Sequence, residues 1–227
     1  FTAVAIDISS KLNEALLPFG IVVVGLSIIL LMMVFRSVVV PLKAAAGYLL
    51  SVLASFGICV AVFQWGWGAE ALHAVPGPLL SFMPILLMAI LFGLAMDYEV
   101  FLVSGMREAY LHGASPKQAI VRGFSGAARV VTAAALIMFF VFAAFVPEGI
   151  SVIKVIALGL AAGVAIDAFL IRMTFVPAVL ALFGHRAWHL PRWLDRLLPS
   201  VDVEGVGLRA HLDDQTWAGE RQRAGEA

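Results

Sequence analysis

Residues 18–35 read PFGIVVVGLSIILLMMVF, a run with no charged side chain. At 1.5 Å per residue such a helix covers about 27 Å, close to the ~30 Å of hydrocarbon in a bilayer. Pro18 suits an opening turn, where its missing N–H costs nothing. The run does not alternate with period two, so it reads as a spanning helix and not as a strand of a membrane barrel.

Working outward, four more segments share this character: about 44–63, 81–104, 130–146 and 154–183, the last with an apolar extension beyond Arg172 to Phe183. The expected fold is an all-α integral membrane protein with five transmembrane helices, forming a bundle over 18–183. Composition agrees, since 62% of residues are hydrophobic and 13% charged, outside the balance of a soluble domain. The 15 basic and 15 acidic side chains cancel, which gives no reason to expect a nucleic-acid partner. The lone Cys59 excludes an internal disulfide and cannot by itself hold a metal.

The flanks differ in kind. Residues 1–17 are mixed and read as the end of an external segment. Between the third and fourth spans, 105–128 reads as helix, turn, helix: Gly113 stops one element, and Ser115-Pro116 open the next as N-cap and first turn. Ala119, Ile120 and Phe124 then share a face, which predicts a short helix lying on the membrane surface. Residues 184–227 read as a cytoplasmic segment. HRAWHLPRWLDRLLP at 185–199 is interfacial, and a polar tail from about Asp202 is expected to be disordered. The chain begins at Phe1 without a signal-peptide pattern, so it reads as a piece of a longer protein.

Orientation follows from lysine and arginine, which favour the cytoplasmic side. With Arg36 and Lys43 placed inside, Arg107, Lys117, Arg122 and Arg129 fall inside too. So do Arg172 and every basic residue after it, leaving only Lys11 and Lys154 outside. Trp65 and Trp67 then lie at the outer interface and Trp188 and Trp193 at the inner one. The C-terminus is expected in the cytoplasm and the chain in a bacterial inner membrane.

Within the third span, residues 93–101 read GLAMDYEVF. An aspartate at a helix centre costs about 2.5–3.5 kcal/mol on insertion, so such residues usually face a bundle interior and mark function. Asp97 is expected about 24 Å down the third span and Asp167 about 20 Å down the fifth. At that similar depth they could share one polar seam. Burial penalises the charged form of a carboxyl, as a site that takes and releases protons requires. Tyr98 offers a hydroxyl that can donate to a carboxylate. Adjacent residues diverge by about 100°, so Asp97 and Tyr98 would reach different neighbours, as suits a relay between helices. Glu99 reads as surface-reaching or salt-bridged. For Asp167, with Arg172 five residues on, proton work and a helix-anchoring ion pair weigh equally. Thr132 is a candidate hydroxyl partner, or else bonds back to its own helix. Gly159, Gly163 and Asp167 recur every four residues, as do Gly93 and Asp97, a small-residue packing stripe on each helix that would aim its acid at protein.

No P-loop, HExxH, Cys/His cluster or GxSxG turn occurs, so no nucleotide hydrolysis, metal site or covalent nucleophile is indicated. No cofactor is expected, with protons as the coupling ion.

GLAMDYEVFLVSGMREAY, with FRSVVVPLKA at 35–44, LPRWLDRLLP at 190–199 and GVAIDAFLIRMTFVPAVL at 163–180, resembles the mycobacterial-membrane-protein-large (MMPL) family of the resistance–nodulation–division superfamily. The resemblance runs from about residue 12 to 207. It implies a proton-driven exporter of lipids or other hydrophobic molecules, with twelve helices in two similar halves. The five helices here would be helices eight to twelve. The resemblance further implies that Asp97 and Tyr98 are one Asp-Tyr pair of the proton relay. The other pair, on helix four, would belong to an N-terminal half with no counterpart in this chain. Besides that half, the expected partners are the bilayer and a hydrophobic or lipid cargo; no enzyme activity is implied. The alternatives are a sterol-sensing-like lipid receptor that does not transport, and an inert membrane scaffold.

Overall fold

The computed structural model describes residues 2–148, 150–191 and 194. Five stretches, Ser9–Phe35, Val39–Phe63, Met83–Leu111, Pro116–Pro147 and Ser151–Trp188, are helical, long and apolar enough to cross a membrane. No strand occurs among the described residues. The elements are α1 (Thr2–Phe35), α2 (Val39–Phe63), α3 (Met83–Leu111), α4 (Pro116–Glu148) and α5 (Ser151–Ala165). A π-helical segment (Ile166–Phe175), α6 (Val176–Phe183) and a 3-10 turn (Gly184–Trp188) continue the line of α5.

Helix ends follow local chemistry. After α1, Arg36 takes a left-handed φ of 46°. Ser37 then caps α2, its Oγ accepting the Val40 N–H at 3.2 Å while donating to the Ala187 carbonyl at 2.5 Å. At the end of α3, Gly113 has φ 86° and its N–H bonds to Tyr110 O, while Ala114 N–H bonds to Ala109 O. That pair of bonds is a Schellman stop. Ser115 and Gln118 follow with reciprocal side-chain-to-backbone bonds of 3.3 and 3.4 Å, a capping box that opens α4.

Several element boundaries differ from the sequence reading. The surface helix expected within 105–128 is the opening of α4, continuous with the fourth span to Glu148. Ala119 and Ile120 are buried within the chain. Gly123 explains this: a Cβ there would lie 2.3 Å from the Met106 backbone nitrogen, so α4 already touches α3 at that level. The backbones approach closely, and this stretch is not a separate surface helix. Upstream, α1 is continuous helix from Thr2 through the residues that lead into the first span.

Leu190–Ala227 forms a second unit, in which residues 190, 191 and 194 are described and Leu194 N–H bonds to Pro191 O at 3.0 Å. Trp193 and the polar tail lie outside the described residues.

Within the bundle the apolar core comes in two clusters. One gathers Leu31, Phe35, Val40, Leu102, Met106, Val176 and Leu180. The other gathers Tyr48, Val52, Leu87, Leu91, Leu160 and Val164. By chain position, a layer of buried charge sits between them.

Candidate functional site: a charged layer on both sides of one helix

α3 presents three faces over three consecutive residues. Asp97 is exposed, on the same side as Ile90, Gly93 and Phe101. Tyr98 is half-buried, and Glu99 is buried at 2% exposure. Within the described residues the Gly93–Asp97 stripe has no packing neighbour. A Cβ on Gly93 would meet nothing within 4 Å, and this face of α3 is open. Asp97 is exposed whereas Asp167 is buried, so Asp97 does not join the packed surroundings of Asp167.

The other stripe does pack. Gly159 and Gly163 are buried, and a Cβ on them would come within 2.8 Å of Leu87 and 2.7 Å of Leu91 respectively. That contact lets α5 seat against α3 and sets the height of Asp167.

Below them the backbone widens into the π segment. In an α-helix, residues five apart diverge around the axis. Bonding from i to i+5 brings them over one another. Asp167 and Arg172 are such a pair, and Arg172 Nε donates to Asp167 Oδ2 at 2.5 Å. Ser51 of α2 donates to the other oxygen at 3.4 Å. Of the two readings of Asp167, the ion pair is formed. Its hydroxyl neighbour is Ser51; Thr132 is half-buried on α4 and takes no part in the layer.

Arg172 does more than pair with Asp167. Its Nη2 donates to the Ala95 carbonyl, and its guanidinium carbon lies 5.5 Å from the centre of the Tyr98 ring. Nη1 has no hydrogen-bond partner and stands 3.8 Å from Glu99 Oε2. Glu99 is salt-bridged through Oε1 to Lys43 Nζ of α2. Lys43 and Arg172 are both buried, at 4% and 2% exposure, and Lys43 lies within α2 and not in the loop after the first span where the charge count had it. Two cations and two carboxylates thus share one buried layer, balanced in charge, as burial demands. A cavity of about 10 Å³, the size for one water, adjoins it, lined in part by Tyr48, Ser51, Tyr98 and Asp167. Among the described residues, no three side chains of His, Cys, Asp or Glu gather as a metal site.

Sequence reasoning missed Lys43 and Ser51. The signal was present: Lys43, Gly47, Ser51, Ser55 and Cys59 recur every four residues on α2. Ser55 donates to Gly159 O at 2.6 Å and Cys59 to Val155 O at 3.7 Å, so this stripe is the face that α2 turns towards α5.

Comparison with known proteins gives the chain's family. The MMPL family model matches residues 2–204. The chain belongs to the MMPL family. This MMPL chain is 52% identical over 216 residues to membrane protein YdfJ of Bacillus subtilis, covering 94% of the chain and 30% of that relative. It is 40% identical over 204 residues to the mycolic acid-containing lipids exporter MmpL11 of Mycolicibacterium smegmatis, covering 89% of the chain and 21% of the relative. It is 39% identical over 218 residues to the heme uptake protein MmpL11 of Mycobacterium tuberculosis, covering 94% and 22%. The chain therefore spans between a fifth and a third of the length of these relatives. Two of the three are named for moving a cargo, one as an exporter and one as an uptake protein.

Proposed function

We propose that this chain is the C-terminal membrane part of a proton-driven MMPL exporter of lipids or other hydrophobic molecules, and that Asp97 and Tyr98 carry its share of the proton relay. The observation that carries the reading is the open face of α3, where Asp97 stands among Ile90, Gly93 and Phe101. A carboxylate turned towards acyl chains costs about 2.5–3.5 kcal/mol, so the face calls for covering protein. An N-terminal half with its own Asp-Tyr pair is that cover, in keeping with relatives three to five times the length of this chain. Asp97 then binds a proton when the halves open it to one side and loses it when they rock to the other. Tyr98 hydroxyl donates to the charged carboxylate across the seam. One proton crossing 100 mV supplies about 2.3 kcal/mol, so a few suffice to bias the rocking equilibrium.

One relative is called an exporter and another an uptake protein. Direction is therefore the property to measure. The protein sits in the bacterial inner membrane with its C-terminus in the cytoplasm; the one-sided placement of Arg107, Lys117, Arg122 and Arg129 supports this.

The test uses full-length protein in proteoliposomes with an entrapped pH dye and a fluorescent phospholipid as cargo probe. An imposed potential should drive proton flux and lipid movement in the wild type. Asp97→Asn should abolish both with the protein's amount and melting temperature unchanged. Wild-type flux in Asp97→Asn would overturn the reading.

A further inference from the structure

Arg172 stands between two carboxylates. Its Nε is on Asp167 at 2.5 Å, whereas its unbonded Nη1 is 3.8 Å from Glu99. A small rotation would trade one for the other. In the observed position the guanidinium also holds the Ala95 carbonyl and lies against the Tyr98 ring. What keeps it there is the state of Glu99, whose charge is already met by Lys43 from a different helix. Among the described residues no α4 charge enters the balance: α4 contributes Ala127 and Ala135 to the two apolar clusters that also hold Ile171 and Ala168.

From this competition we infer that Lys43 is a positioning residue for the Asp97–Tyr98 pair. By neutralising Glu99 it assigns Arg172 to Asp167 and keeps the guanidinium under Tyr98. Without the Lys43 charge one cation is left for two buried carboxylates. Among the described residues Asp167 keeps a donor in Ser51 whereas Glu99 keeps none, so Glu99 is the costlier one to leave unpaired and draws Arg172. Arg172 then turns to Glu99 and leaves Tyr98, and the ring next to Asp97 loses the cation that holds it. This inference rests on the proton-relay reading above.

The test is an infrared titration of the protonated-carboxyl band in full-length protein, which needs no cargo. Asp97's share is the part of the band that Asp97→Asn removes. Lys43→Met should move the midpoint of that share by about one pH unit, tenfold in proton affinity. The pair Lys43→Met with Glu99→Gln should restore it, because Arg172 then faces no competing charge. Lys43→Gln, which keeps a donor to Glu99 and removes only the charge, guards against misfolding of the methionine variant and should shift the midpoint in the same sense. An electron cryomicroscopy structure of either single variant should place the guanidinium on Glu99. A lowered protein yield with an unmoved midpoint, or a double variant as displaced as the single one, would overturn the inference. If Asp97→Asn removes nothing from the band, the relay reading itself fails, and the Lys43 variants are not needed to show it.

Discussion

Asp97 and Glu99 stand two residues apart on α3 and face opposite ways: Asp97 is exposed, whereas Glu99 is buried and salt-bridged to Lys43. Two residues turn a helix by about 200°, so one acid must leave the bundle if the other enters it. The same short run therefore holds a carboxylate fixed by partners within this chain and one left for partners elsewhere.

Removing the fixed acid should be costly. Glu99→Ala leaves Lys43 buried without its partner, and breaking such a pair costs about 3–5 kcal/mol. Thermal melting of the full-length protein in detergent should show a clear drop. Glu108→Ala, at an exposed position of the same helix, should stay within about 0.5 kcal/mol of wild type.

Close backbone contact predicts a second sensitivity. Gly123→Ala puts a methyl 2.3 Å from the Met106 nitrogen, where no flexible side chain can yield. Forcing α3 and α4 apart should cost about 1–3 kcal/mol in the same melting assay. At Gly126 a Cβ meets nothing within 4 Å, so Gly126→Ala should be neutral or slightly stabilising.

At the other end of the bundle, Lys154 ties a loop to α5. Its Nζ donates to the carbonyls of Leu72 and His73 at 2.9 and 3.3 Å, and the side chain is buried. Lys154→Met leaves those carbonyls without the donor, at about 1–3 kcal/mol of local stability. Hydrogen exchange of amides 69–77 should quicken, with exchange in α3 unchanged.

Orientation can be read directly. In full-length protein freed of cysteine, Cys59 included, a cysteine replacing exposed Trp67 should react with an impermeant maleimide added outside the cell. One replacing exposed His112 should react only after the membrane is opened. Labelling in the reverse order would invert the proposed topology.

Much of the fold was legible because its causes are local. Long apolar runs fix where spans fall, and Gly113, Ser115 and Pro116 punctuate the turn between α3 and α4 through bonds within a few residues. The boundaries that moved did so through contact at a distance. The α4 opening read as a surface helix from its apolar face, yet that face is covered by α3 at Gly105 and Gly123.

The candidate site divides in the same way. Its unusual residues, Asp97, Tyr98, Glu99 and Asp167, stand out in any reading because charge is expensive in hydrocarbon. Which of them is paired does not stand out. Lys43 reads as part of a cytoplasmic loop and is the buried partner of Glu99. Arg172, five residues from Asp167, leaves open whether that acid is paired or free for proton work, and the pair is formed.

The sequence by itself determined five membrane-spanning helices, the turn chemistry between the third and fourth, and the identity of the acids placed among apolar residues. Only the tertiary structure decided that α2 brings Lys43 to Glu99, that a π-helical stretch stacks Arg172 on Asp167, and that Asp97 faces outward. The reason is range. Hydropathy and capping act over one or two turns of a chain, whereas an ion pair depends on which helices meet and at what height.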